Sequence, residues 1–216
     1  MYRGLDLLLR HRVDLRIVVG GLIDERRILI RVATHRRELL ARLGLAFEIC
    51  APGVDETPMP GERPADLAMR LALAKAQAVA GQHLGAVVIG SDQVADLHGE
   101  PLGKPGNHAN AVAQLRRQSG QAVVFQTAVA VVCLERQFAK TALASVQVQF
   151  RTLNEADIEA YLRAEPAYDC AGSAKSEGLG IALLERIDSD DPTSLIGLPL
   201  MRTCALLREL GIQVPA

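Results

Sequence analysis

Apolar residues along this chain recur in two rhythms, one suited to strands and the other to helices. Ile28, Leu29 and Ile30 form an apolar triplet that reads as a short buried strand. From Thr34 the period lengthens: Leu39, Leu40 and Leu43 share helical spacing, and Gly44 is placed to stop that helix. Ala46 to Cys50 reads as a second short strand, and a polar, proline-rich loop follows over 51–63. Pro64 stands in the first helical turn, where proline fits best, and Gly81 closes the helix. Leu67, Leu71, Ala74 and Ala78 mark one face of it. The run Ala86-Val87-Val88-Ile89-Gly90 predicts a strand covered on both faces, ending in Ser91-Asp92-Gln93.

The second half continues the alternation. A hairpin is expected around His98-Gly99, and Asn107 can cap a helix reaching about Gln118. Val123 to Leu134 is strand-like, and Val146, Val148 and Phe150 alternate as a half-buried strand should. Asn154 caps a further helix with Ile158, Tyr161 and Leu162 facing inward. The glycine-rich stretch 172–180 leads to an expected strand at Ile181 to Leu184. Pro199 opens a terminal helix with Leu200, Cys204 and Leu207 on one face. Alternating strands and helices define an α/β class, and the hairpin signals make the sheet mixed.

Composition narrows the function. The 216 residues fit one domain, and 49% hydrophobic with 23% charged residues supports a core and excludes disorder. With no Trp, three Tyr and four Phe, the core is aliphatic and a base-stacking site has few rings to use. A net charge of -1 supplies no overall field to draw the protein to nucleic acid or anionic lipid. Cys50, Cys133, Cys170 and Cys204 lie far apart, without a CxxC pair, and read as reduced core thiols. No run approaches the roughly 20 apolar residues that span a bilayer. The N-terminus lacks a signal-peptide layout. The expectation is a cytoplasmic protein with neither a nucleic-acid nor a membrane partner.

Several charged residues stand where chemistry could use them. Asp92, after a buried strand, would sit at the carboxyl end of a sheet, where open α/β folds bind ligands. There it could hold a hard cation or take a proton from water; a strand ending in a polar turn is the plain alternative. Val54-Asp55-Glu56-Thr57 adds carboxylates in a loop, and oxygen-only ligands suit Mg²⁺ or Mn²⁺ rather than zinc. Lys75, at the edge of an apolar stripe, either reaches to water or meets a buried anion. Lys104 lies between Gly103 and Pro105, whose stiff backbone could aim it inward. Arg36 and Arg37 occupy a first helical turn, where the dipole opposes a cation unless an anionic ligand offsets it. Asp188 to Asp191 reads as a solvated acidic loop and Arg116-Arg117 as an exposed helix face. His83 and His108 receive no role.

Taken in order, Arg36-Arg37-Glu38-Leu39-Leu40, Val54-Asp55-Glu56-Thr57, Ala74-Lys75-Ala76, Gly90-Ser91-Asp92-Gln93, Gly103-Lys104-Pro105 and the run from Cys170 to Gly178 resemble the Maf nucleotide pyrophosphatases. The match spans about 28–212. Gln93 and Lys175-Ser176-Glu177-Gly178 are similar to the branch acting on 7-methyl-GTP. The branch acting on dTTP and UTP carries Thr after the aspartate. The resemblance implies a mixed α/β fold related to inosine triphosphate pyrophosphatases, with a cleft between two lobes, commonly dimeric. It implies hydrolysis of a nucleoside triphosphate to the monophosphate and pyrophosphate with a divalent cation. By the same resemblance Asp92 is the proton acceptor, and Glu56 with Asp92 holds the metal. Arg36, Arg37, Lys75 and Lys104 then bind phosphates, and His35, Gln93 and Glu177 set base specificity.

Two departures stand out. Where the family has Ser-x-Ser-Pro, this chain has Arg31, Val32, Ala33 and Thr34, and 1–27 form an extension without a counterpart before a single domain at 28–216. A lineage change, a weakened enzyme and a reading-frame slip upstream of Arg36 would each produce this pattern. The alternative functions are a low-turnover nucleotide-binding regulator of cell division, which the altered motif favours, and a Maf pyrophosphatase of different base specificity (dTTP/UTP).

Overall fold

The computed structural model describes residues 28–30, 34–50 and 53–215. Residues 31–33 of the altered motif and the extension at 1–27 lie outside the described residues, as does the side chain of His35; Thr34, the motif's last position, begins α1. The chain runs β1 (Ile28–Ile30), α1 (Thr34–Ala41), β2 (Glu48–Ile49), α2 (Pro64–Ala80), β3 (Val87–Leu97) and β4 (Glu100–Leu102). It continues through α3 (His108–Gln118), β5 (Ala122–Cys133), β6 (Phe138–Phe150), α4 (Glu155–Ala164), β7 (Leu184–Asp188) and α5 (Leu200–Glu209). The seven strands form one mixed sheet in the order β2-β1-β3-β5-β6-β7, with β4 paired to β3. β1 runs parallel to β2 and β3; the other pairings are antiparallel.

Strand alternation assigns the core. Val88 and Val94 of β3, with Ala128 and Ala130 of β5, pack under Leu67, Leu71 and Ala76 of α2. Val87, Ile89, Val129 and Val131 point the other way and meet Leu39 and Leu40 of α1 and Leu206 and Leu207 of α5. Farther along β3 and β5, Ala95 and Phe125, with Val146 and Val148 of β6, join Leu115 of α3 and Ile158 and Leu162 of α4. The caps fall where the side chains predict: Asn107 accepts from the Asn110 amide, and Asn154 forms a reciprocal capping box with Asp157. The hairpin between β3 and β4 turns at His98 and Gly99, both with positive φ (57° and 89°).

Three expectations fail for physical reasons. β3 does not end at Ser91-Asp92-Gln93 but continues to Leu97, because β5 pairs with it from Val88 to Asp96. The segment Leu179–Leu183 is a 3-10 helix, and the strand begins only at Leu184. There the glycines at 178 and 180 and the Gly180 amide bonded to Glu165 favour turns over a ladder. Asp191 is buried rather than solvated: it accepts from the Arg202 amide and from the Thr193 hydroxyl, fixing the start of α5. On that helix Thr203, Leu206 and Leu207 are the buried positions, with Leu200 and Cys204 only half-buried.

Candidate active site

The strand that carries Asp92 has an interrupted edge. β1 pairs with β3 only as far as Ile89, and β4 joins the strand only from Ala95. Among the described residues no strand covers the intervening Gly90–Val94 stretch on that edge. A cleft of about 580 Å³ opens there, a volume suited to a nucleotide-sized ligand. Asp92 therefore lies beyond the end of a neighbouring parallel strand, although its own strand runs on.

Close packing brings α2 to this point. A Cβ on Gly90 would lie 2.3 Å from the Ala72 carbonyl oxygen and 2.7 Å from the Ala76 nitrogen, so only glycine lets helix and strand meet this closely. Lys75 is thereby set over Asp92, two residues on and on the same face of β3. Its Nζ donates to Asp92 Oδ1 and also lies 2.8 Å from Glu56 Oε1. Lys75 and Asp92 are buried, at 5% and 7% exposure; Glu56 reaches in from the loop before α2 and is exposed. Of the two open readings of Lys75, the buried anion is the one observed. Burial pushes the Asp92 carboxyl above the usual aspartate range, opposed by the Lys75 and Arg36 charges and reinforced by Glu56.

Arg36 enters from the first turn of α1. Its Nη1 donates to the Ser91 carbonyl at 3.0 Å, and the Ser91 hydroxyl donates to the Gly197 carbonyl at 2.9 Å. Gly197, at φ 113°, leaves room for the guanidinium: a Cβ there would come within 3.0 Å of Arg36 Nε. Lys104 lines the cleft from the loop between β4 and α3 and is exposed. Arg37 is exposed on α1 and does not line the cleft.

The far end is built from turns. Glu177 and Ser176 line it, with Asp169 and Cys170 beside them and Phe125, Val148 and Phe150 as an apolar floor. Burial, with Asp169 alongside, pushes the Cys170 thiol up to about 12, so it stays a neutral thiol near pH 7. Gln93 faces away from α2. Its Nε2 lies 2.9 Å from Thr127 Oγ1 and 3.0 Å from the carbonyls of both Ser194 and Leu195, pinning a 3-10 turn against the sheet. Asp169, Cys170, Phe125 and Phe150 escaped the sequence reading. The first two adjoin or begin a quoted motif, which was a usable signal; the phenylalanines read only as strand core.

Seven of the nine candidate residues thus meet in one cleft: Arg36, Glu56, Lys75, Asp92, Gln93, Lys104 and Glu177. A mixed sheet whose cleft joins cationic side chains to buried and exposed carboxylates has the makings of a nucleotide-handling enzyme. The chain belongs to the Maf family: the family described as Maf-like protein matches residues 32–210. It is 62% identical over 192 residues to the 7-methyl-GTP pyrophosphatase of Albidiferax ferrireducens, covering 89% of this chain and 96% of that protein. It is 65% identical over 187 residues to the protein of the same name from Polaromonas, covering 87% and 85%. The corresponding Bordetella pertussis protein is 55% identical over 191 residues, covering 88% and 95%.

Proposed function

We propose that this protein hydrolyses 7-methyl-GTP to 7-methyl-GMP and pyrophosphate in the cleft beside β3, clearing a modified nucleotide. The observation that carries the reading is the buried Lys75 held between Asp92 and Glu56 at an edge that Arg36 and Lys104 also face. Relatives named for this activity cover nearly the whole chain. The enzyme is a soluble cytoplasmic homodimer in this reading, with 28–216 as one catalytic domain.

A divalent cation fits the donor set. Among the described residues no group of three or more His, Cys, Asp and Glu side chains could hold a metal alone. Mg²⁺ or Mn²⁺ needs only one or two carboxylates when substrate phosphates complete its shell. Asp92 and Glu56 already converge on one cationic group, Lys75, and would hold the ion. When bound, it neutralises charge on the phosphates as a Lewis acid.

The protein's own groups supply the rest. Asp92 accepts a proton from the water that attacks the α-phosphorus. Lys75 fixes the carboxylate's direction and, with Arg36 and Lys104, offsets charge on the departing pyrophosphate; Arg37, outside the cleft, has no part in this step. At the far end Glu177 sets a carboxylate beside the base, which N7-methylation makes cationic. Gln93 and His35 complete base selection.

Pyrophosphate release from a nucleotide panel with Mg²⁺ or Mn²⁺ tests this reading. Turnover is expected to favour 7-methyl-GTP and to fall about 10²–10⁴-fold in Asp92→Asn. Activity that survives Asp92→Asn contradicts the assignment. The altered stretch Arg31-Val32-Ala33-Thr34 favours a second reading, a low-turnover nucleotide-binding regulator. Tight nucleotide binding without pyrophosphate release would select it.

A further inference from the structure

The two rims of the cleft are carried by separate loops. Gly103-Lys104-Pro105 forms the side assigned to phosphates; the turn at Ala171–Ser173 leads to Ser176 and Glu177 on the side assigned to the base. Both loops rest on α3. Gln114 of that helix has Nε2 3.0 Å from the Gly103 carbonyl, to which it donates, while its Oε1 accepts from the Ser173 hydroxyl at 2.5 Å. Among the described residues no other side chain bonds to both segments, 103–106 and 170–177. We propose that Gln114 is a positioning residue that couples the phosphate-side and base-side rims through one carboxamide.

Three observations converge on this role. Ser173 is buried and left-handed (φ 57°), directly after left-handed Gly172 (φ 74°). A non-glycine residue keeps that conformation only where its surroundings hold it, and its hydroxyl is held by Gln114. Gln118, four residues further along α3, donates through Nε2 to the Gly172 carbonyl at 2.8 Å, so the helix grips the same turn twice. The chemistry also selects the residue type. Gly103 offers a carbonyl and needs a donor; Ser173 offers a hydroxyl and needs an acceptor. A glutamine supplies both without a charge, whereas glutamate supplies only the acceptor.

The proposal rests on the site reading above, with Lys104 on the phosphates and Glu177 beside the base. Its test uses Gln114→Glu and Gln114→Met in the full chain. Steady-state kinetics are taken with 7-methyl-GTP and GTP, and backbone hydrogen exchange is measured without nucleotide. Gln114→Glu keeps the Ser173 bond and loses the Gly103 bond. KM should rise about fivefold for both nucleotides, with kcat and the preference between them nearly unchanged. Exchange should quicken over 103–106 alone. Gln114→Met loses both bonds: KM should rise about tenfold, the preference should shrink, and exchange should quicken over 103–106 and 174–177. Unchanged KM, preference and exchange in both variants would overturn the role. So would a loss of kcat in both that merely follows a lowered melting temperature. If the wild type turns over neither nucleotide, the reading of the site has failed, and the exchange pattern alone then decides whether Gln114 couples the loops.

Discussion

Lys75 and Glu177 face one cleft, yet the first hangs from the middle of a 17-residue helix and the second from a turn between 3-10 segments. At the Lys75 end, placement comes from backbone packing: α2 lies against Gly90 because no Cβ intervenes, and Asp92 follows from strand alternation. At the Glu177 end, placement comes from side chains that catch loops. Gln114 and Gln118 hold Gly172 and Ser173, the Tyr161 hydroxyl accepts from the Lys175 amide, and Glu165 accepts from the Gly180 amide. One end is fixed by the packing of regular elements, the other by individual hydrogen bonds. In the proposed function Asp92 and Lys75, which would serve any triphosphate, belong to the packed end, and Glu177, which would face the base, belongs to the end held by single side chains.

This contrast is open to attack from both sides. The largest effect is expected from Gly90→Ala, whose Cβ would fall 2.3 Å from the Ala72 carbonyl oxygen. Forcing α2 off β3 should cost about 3 kcal/mol or more and depress turnover of every nucleotide alike. Chemical denaturation combined with the nucleotide panel reads both outcomes. A variant of wild-type stability and activity would show that the helix does not depend on the glycine. A smaller effect is expected from Gly172→Ala, where φ is 74° and the nearest neighbours, Gln118 Oε1 and Phe125 Cζ, stand 3.2 Å away. About 1–2 kcal/mol of backbone strain should be lost from stability, with the preference for 7-methyl-GTP over GTP eroded more than kcat. Equal losses for both nucleotides would erase the distinction between the two ends.

The same contrast explains what could be read in the chain. Helix starts at Pro64, Asn107 and Asn154 were legible because a cap is a local contract between neighbouring residues. The charged set around Asp92 was legible as residues, and the structure brings seven of the nine candidates together. The continuation of β3 past Asp92 was not, since its cause is β5, whose paired residues run from Thr127 opposite Gln93 to Val124 opposite Asp96. Nor was the 3-10 course of Leu179–Leu183: its apolar residues resemble a strand, and beside the glycines at 178 and 180 it is Glu165, just past α4, that holds the turn through the Gly180 amide. Asp191 misled for the same reason: beside the local Thr193 hydroxyl, the Arg202 amide becomes its partner only when α5 docks. Local signals set the ends of elements; distant pairing decided where the site opened.

The central claim is that the water deprotonated at Asp92 attacks the α-phosphorus. Hydrolysis of 7-methyl-GTP in ¹⁸O-enriched water, followed by mass spectrometry of both products, tests it most directly. The account predicts one heavy oxygen in 7-methyl-GMP and none in pyrophosphate; heavy oxygen in the pyrophosphate, or release of orthophosphate as the first product, would contradict it.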